Sequence, residues 1–345
     1  RAARRALIAA AVFAVAAALI AFTARDPGLT WDEAIYFGRA AQYLHWFQDL
    51  SSDSFSSLAI ARTWGAPDHP PLGSLWIAAS FAVFGGFCDM ITAARLGAAM
   101  LFGLAVATLF LWVAARRDER TGLLAAGLFL LMPRVFADAH FANLEMMTLL
   151  LWLLTVAAFE RGIESRRWSL LCGLFFGLAL LTKINGAFLP LFLAPWGLLF
   201  HGRKALRNLL CMALIGPAIF LLGWPLLWHF PVTGLKAYLL NKTQRMLIPV
   251  YYLGTTWRET TAPWHYPFVM LAATTPLPIL AGVAVAAVSA LRRARARWYD
   301  AAPEALTLAA FALPVLLLAM PGVPKYDGIR LMLPALPFMA AAAAG

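Results

Sequence analysis

Charge is scarce in this chain. Charged residues hold 13% of the 345 positions, where an ordinary soluble domain carries about a quarter, and hydrophobic residues reach 62%. That balance excludes an ordinary soluble domain. Cysteine is scarcer still. Cys88, Cys172 and Cys211 are odd in number and widely scattered, which excludes a disulfide framework and a zinc site built on close cysteine spacing. Internal repeats and low-complexity linkers are missing too, apart from alanine-rich helix faces. Residues 1–345 therefore read as a single all-α transmembrane bundle and not as a string of domains.

What the chain has in quantity is apolar sequence. Runs of 15 to 28 apolar residues recur along its length, matching the roughly 20 residues a helix needs to cross a bilayer. About ten spans are expected, at 6–24, 91–115, 121–132, 143–160, 168–182, 185–200, 208–228, 264–291, 304–320 and from 331 onward. The net charge of +11 raises nucleic acid as a partner, but its distribution argues against one. With the N-terminus in the cytoplasm, the inner loops collect Arg1, Arg4, Arg5; Arg116, Arg117, Arg120; Arg161, Arg166, Arg167; Arg203, Lys204, Arg207; and Arg292, Arg293, Arg295, Arg297. These are 16 of the 28 basic residues against 6 of the 17 acidic ones. No other parity sorts the charges so cleanly by the positive-inside rule, and it implies a multi-pass protein of a bacterial inner membrane. Residues 1–24 resemble a signal peptide but lack a convincing cleavage site, so they read as an uncleaved first span. The start at Arg1 and the stop in an alanine run suggest a missing C-terminal portion.

The same parity keeps residues 71–85 out of the span count and lays them along the outer face. It also splits 168–200 into two short helices turning at Lys183-Ile184-Asn185-Gly186. At 1.5 Å per residue, the helices at 121–132 and 168–182 cover only about 18–22 Å of a core roughly 30 Å thick. Their outer ends are expected below the outer surface, in a cavity reached by Lys183 and by residues 134–145. The first outer loop, 25–90, holds the surface helix; 229–263 forms a second outer loop, with an Asn241-Lys242-Thr243 sequon of little weight.

Charged groups at membrane depth are costly and usually functional. The outer-side set comprises Asp32, Glu33, Asp68, His69, Asp138, His140, Glu145, Lys183, Arg258, His265, Lys325, Tyr326, Asp327 and Arg330. Such a mixture suits displacement of a phosphate from a sugar. One carboxylate takes the proton of an acceptor hydroxyl, and cations stabilise the charge growing on the leaving phosphate. A single base suffices for inversion by direct displacement, unlike the two-carboxylate pattern of glycoside hydrolysis. Carboxylates and imidazoles together also suit a divalent cation. No spacing such as His-x-x-x-His demands one, and metal and cofactor stay unassigned.

Five stretches carry a resemblance: Trp31-Asp32-Glu33 after the first span; Asp68-His69-Pro70-Pro71-Leu72-Gly73; His140-Phe141-Ala142-Asn143-Leu144-Glu145; Leu181-Thr182-Lys183; and Tyr326-Asp327-Gly328-Ile329-Arg330 before Leu333-Pro334. Together they resemble the GT-C membrane glycosyltransferases, in particular the protein O-mannosyltransferase and lipid A aminoarabinose transferase branch. The resemblance implies a polyprenyl-phosphate sugar donor and an active site on the outer, periplasmic face. The acceptor would be a lipid, a glycan or a protein. Asp32 falls at the catalytic base with Glu33 as its structural partner. Glu145 falls at a second acidic position that is usually Asp. Asp68 and His69 stand where relatives carry an acid followed by Lys or His, and Lys183 stands at a cation near the carrier phosphate, a role Arg330 can share. Tyr326 and Arg258 complete the substrate-binding candidates.

Each assignment has a plainer reading. Thr30 to Glu33 fits a capping box, a Thr followed three residues later by Glu. His69-Pro70-Pro71 can simply set the entry into a helix, Glu145 can cap a helix or pair with Arg134, and Lys183 can snorkel to the interface. A polytopic transporter or flippase of a lipid-linked or anionic substrate is the competing function, since many spans with buried charges also describe transporters.

Overall fold

The computed structural model describes residues 2–65, 68–243 and 247–345, and is mostly helical. Arg1 and the side chains of Lys242 and Thr243 in the sequon lie outside the described residues. The long apolar segment Ala2–Phe22 forms α1. Between it and the next long helix lie α2 (Trp31–Gln48), α3 (Ser57–Trp64) and α4 (Leu72–Phe84). There follow α5 (Met90–Arg116), α6 (Glu119–Leu130), α7 (Pro133–Ala139), α8 (Glu145–Gly162), α9 (Arg166–Leu180), α10 (Pro190–His201) and α11 (Leu206–Gly223). Short α12 (Leu226–His229) and α13 (Pro231–Thr243) lead to a hairpin of β1 (Pro249–Tyr252) and β2 (Thr255–Arg258). The chain closes with α14 (Tyr266–Thr274), α15 (Leu277–Ala296), α16 (Ala302–Ala319) and α17 (Leu336–Ala344). The hairpin amends the all-α expectation. Its strands pair Pro249 with Arg258 and Tyr252 with Thr255 across a turn in which Leu253 (φ 49°) and Gly254 (φ 80°) both take positive φ. This is the backbone that a tight two-residue hairpin demands.

Five stretches of the described helices are long and apolar enough to cross a membrane, or six if α6 and α7, bent by 70° at Leu131 and Met132, count as one broken span. This is fewer than the ten expected. The reason is local: α9 and α17 have 15 and 9 residues, α8 carries Glu145, Glu160 and Arg161 within its 18, and α10 and α11 count as one continuous stretch, Ile184–Gly223. The two short helices around Lys183 do form. Gly186 lies in the turn between them because a side chain there would strike the Ala179 backbone at 2.6 Å. Residues 71–85 form a helix, α4, that packs on α2 and the start of α5, with Trp76 Nε1 donating to the Gly97 carbonyl at 3.0 Å.

The bundle has two charged ends. At one, Arg4 meets Glu119 at 3.1 Å, Arg116 meets Glu160 at 3.2 Å, Lys204 meets Glu164 at 2.9 Å, and Arg117 and Arg293 share Glu304. Arg207 reaches the Gly162 carbonyl at 2.7 Å. These contacts tie together the basic loops that charge parity groups on one side. From Arg95 to Arg116, α5 runs about 30 Å, the thickness of a hydrocarbon core. Arg95, paired with Glu33 at 2.9 Å, thus lies about that far along the helix from Arg116 and the basic loops.

Candidate active site

Asp32 and Glu33 are neighbours with different surroundings. Glu33 is fully buried and holds the start of α2 in place. Its carboxylate accepts from Arg95 Nε and Nη2, both at 2.9 Å, from the Ala142 amide at 3.0 Å, and from the Thr30 amide and hydroxyl at 3.0 Å. Both halves of the Thr30–Glu33 capping box form. Arg95, equally buried, spends its other N–H groups on the carbonyls of Ala24 and Pro27 at 2.7 Å and Gly28 at 2.8 Å. All five guanidinium donors are thus used. Burial alone would lift the Glu33 pKa, but Arg95 and the Thr30 and Ala142 amides outweigh it and hold the carboxyl below its usual value. Charge burial of this kind is tolerable only with full pairing.

Asp32 faces the other way, into an open cavity of about 620 Å³. One wall is Thr30 to Asp32, a second is Arg134, Asp138, Phe141 and Asn143, a third is Ile248, Met270 and Thr274, and the fourth is Asp327 to Arg330. Arg330 organises the charges: Nη2 pairs with Asp32, Nε with Glu145 at 3.0 Å and Nη1 with Asp327 at 3.2 Å. Burial would pull the Arg330 pKa down, but the carboxylates of Glu145 and Asp32 outweigh it and raise it above the ordinary arginine value. Behind Arg330, Glu145 Oε1 also accepts from Lys183 Nζ at 2.7 Å. A chain of alternating charge, Asp32–Arg330–Glu145–Lys183, joins α2, the loop before α17, α8 and the turn after α9.

Of the nine candidates, Asp32 and Arg330 line this cavity. Glu145 and Lys183 are buried directly behind it, so Lys183 does not project into open space as anticipated. Asp68 pairs with Arg39 at 2.7 Å, and the His69 ring lies 6.2 Å from that of Tyr36, a buried residue one turn after Asp32. Tyr36 connects the two groups: burial first, then the charges of Asp32 and Glu145, push its phenol well above the ordinary tyrosine value. Tyr326 packs with Val250, Tyr252 and Tyr266 against the hairpin, and Arg258 stands exposed on β2, outside the cavity wall. Arg134 pairs with Asp138 at 2.8 Å, one turn along α7, and not with Glu145. Arg95 and Tyr36 escaped the sequence reading, and Arg134 entered it only as a candidate partner of Glu145. An arginine inside an apolar helix and a tyrosine four residues after a catalytic candidate were the signals available. Among the described residues, no three His, Cys, Asp or Glu side chains converge on a metal site.

This architecture, with a charged cavity at one end of a helical bundle, is similar to the GT-C fold seen in solved membrane glycosyltransferases. Residues 68–229 match the dolichyl-phosphate-mannose-protein mannosyltransferase family, a stretch that holds Glu145 and Lys183. The structure is similar to that of ArnT from Cupriavidus metallidurans bound to undecaprenyl phosphate, with a TM-score of 0.66 and 18% identity over 97% of this chain and 59% of that one. It is similar also to the Archaeoglobus fulgidus oligosaccharyltransferase in its apo form (TM-score 0.61, 14% identity, 97% of this chain and 50% of that one). AglB from the same organism, in complex with an inhibitory peptide and a dolichol-phosphate, gives a TM-score of 0.58 at 14% identity, over 97% of this chain and 50% of that one. The chain thus spans 50 to 59% of the length of these structures. No curated protein matches it by sequence.

Proposed function

We propose that this chain is the transmembrane domain of an inverting glycosyltransferase that moves a hexose or pentose from a polyprenyl-phosphate carrier to a hydroxyl or phosphate acceptor. The observation that carries this reading is the cavity-facing Asp32, held by Arg330, which also grips Glu145. With a hydroxyl acceptor, the acceptor oxygen attacks the anomeric carbon from the side opposite the phosphate and passes its proton to Asp32. The bond from that carbon to the phosphate oxygen breaks, and its electron pair leaves with the carrier phosphate, whose charge Arg330 stabilises. Glu33 positions Asp32 through the cap. Glu145 and Lys183 position Arg330, which deepens the sequence-based role of Lys183 from phosphate ligand to support. Asp68 and His69 act on the same site through Tyr36.

The basic loops at the opposite end support an outer-face cavity in a bacterial inner membrane. The helices α8, α9, α10 and α17 belong to the packed core; reading each as a crossing supports a bundle of ten spans. Charges gathered at one end, not at the midplane, favour an enzyme over a transporter. The test is Asp32→Asn in the full-length protein with a verified donor and acceptor. Loss of transfer by at least about a hundredfold is expected of a missing general base, with insertion intact; near wild-type turnover refutes the mechanism.

A further inference from the structure

Three cations surround the candidate site, and they differ in how far they are committed. Lys183 is buried and held by Glu145. Arg330 touches three carboxylates through its three nitrogens. Arg134 is the most open, with 37% of its side chain exposed and its guanidinium lining the cavity. Asp138 takes its Nε edge, Nη2 makes one long contact with the Asp327 carbonyl at 3.3 Å, and Nη1 meets no protein acceptor among the described residues. A phosphate monoester brings up to two negative charges, and Arg330 alone, already matched by carboxylates, is a poor seat for them. A second guanidinium with spare donors supplies the forked geometry that phosphate oxygens favour.

Asp327 lies between the two arginines. Its carbonyl takes Arg134 and its carboxylate takes Arg330, and these contacts of 3.3 and 3.2 Å are longer than the 2.7–3.0 Å of the other measured ion pairs at the site. Asp327 presents both groups because its backbone is left-handed (φ 54°), followed by Gly328 (φ 64°). That conformation is strained for a residue with a side chain. The turn is tethered on one side, where the Gly328 amide donates to the Tyr266 hydroxyl at 3.0 Å.

We infer that Arg134 and Arg330 form a two-guanidinium seat for the carrier phosphate, in which Asp327 is a resident anion that the phosphate displaces. This rests on the isoprenoid-phosphate reading above. Asp327 competes with the ligand, so its removal strengthens binding, whereas a purely structural Asp327 would weaken it when removed. The test titrates the purified full chain in detergent with farnesyl phosphate, and with farnesol as the uncharged control. Arg134→Gln is expected to lose at least about tenfold in affinity for farnesyl phosphate, the value of a charge-assisted hydrogen bond, with farnesol binding unchanged. Arg134→Lys recovers part of the loss, and Asp327→Asn binds farnesyl phosphate several-fold more tightly than wild type. Wild-type affinity in Arg134→Gln, or weaker binding in Asp327→Asn, overturns this inference and leaves the carrier reading standing. Equal affinity of the wild type for farnesyl phosphate and farnesol overturns both.

Discussion

Replacing Arg95 by methionine tests how the catalytic candidate is held. The substitution keeps much of the side-chain volume but strands the fully buried Glu33 carboxylate and removes the donors to Ala24, Pro27 and Gly28. Removing one partner of a buried ion pair costs about 3–5 kcal/mol, and each buried carbonyl left unsatisfied adds about 1–3 kcal/mol unless water reaches it. With water reaching the three carbonyls, the broken pair alone costs about 4 kcal/mol, which at about 2 °C per kcal/mol lowers the midpoint of thermal unfolding by about 8 °C. Arg95→Met should therefore show a clear drop in a thermal-shift measurement in detergent, and reduced transfer, because Asp32 sits on the same helical turn. The double variant Arg95→Met with Glu33→Leu removes both charges, so it should be more stable than Arg95→Met alone, less about 1 kcal/mol for the lost cap. A single variant within 2 °C of wild type, or a double variant less stable than the single, refutes the account of Glu33 as a paired structural pivot.

Four further outcomes follow from the same geometry. Glu145→Gln leaves Lys183 buried without its counter-charge and should destabilise by about 3 kcal/mol or more; unfolding in denaturant measures it. Lys183→Met should cost more in stability than in affinity for farnesyl phosphate, because its ammonium is spent on Glu145; a selective loss of affinity in ligand titrations would restore a direct phosphate role. Trp31, 81% exposed beside Asp32 at the cavity, should on replacement by alanine change the KM for substrate with little effect on unfolding temperature. For pH, Glu33 has a folded pKa below its usual value of 4.5, so its contribution is complete above that value and is lost as pH falls through the lowered folded pKa. Wild type should show this acid loss and Glu33→Gln should not, in thermal-shift curves between pH 3 and 7.

Much of the site was legible because chemistry at membrane depth leaves few charges to choose among. Asp32, Glu145, Lys183 and Arg330 lie far apart in the chain yet meet in one linked network, and the Thr30–Glu33 cap was readable from spacing alone. Arg95 was not, because a sequence does not show which carbonyls an arginine will meet, and its position inside an apolar helix reads as a snorkelling charge until its partners are known. That Arg258 and Tyr326 stand outside the cavity lining was hidden for a related reason. They lie on or beside a hairpin whose Leu253-Gly254 turn lacks the usual Asn-Gly or Asp-Gly signature, so the outer segment reads as plain loop and every polar residue in it looks equally close to the cavity. The span count departed from length-based assignment because packing inside the bundle stabilises helices too short to be recognised by length alone.

The adjacent acids illustrate how one helical turn divides two tasks. A carboxylate used as a base must meet solvent and substrate, while one used to anchor a helix must be buried and fully paired. Successive residues on a helix point about 100° apart, so the first turn of α2 turns Glu33 toward Arg95 and Asp32 toward the cavity without any change of backbone. The capping box makes this division hard to reverse, because Glu33 must close back on Thr30 for the helix to start where it does. Exchanging the two residues, Asp32→Glu with Glu33→Asp, preserves charge and composition. It also shortens the buried acid by one methylene, weakening its reach to Arg95 and to the Thr30 amide, and lengthens the acid that lines the cavity. That exchange should lower both stability and transfer, whereas Asp32→Glu alone should lower transfer only; equal stability in the two variants would mean that the cap does not depend on the length of its acid.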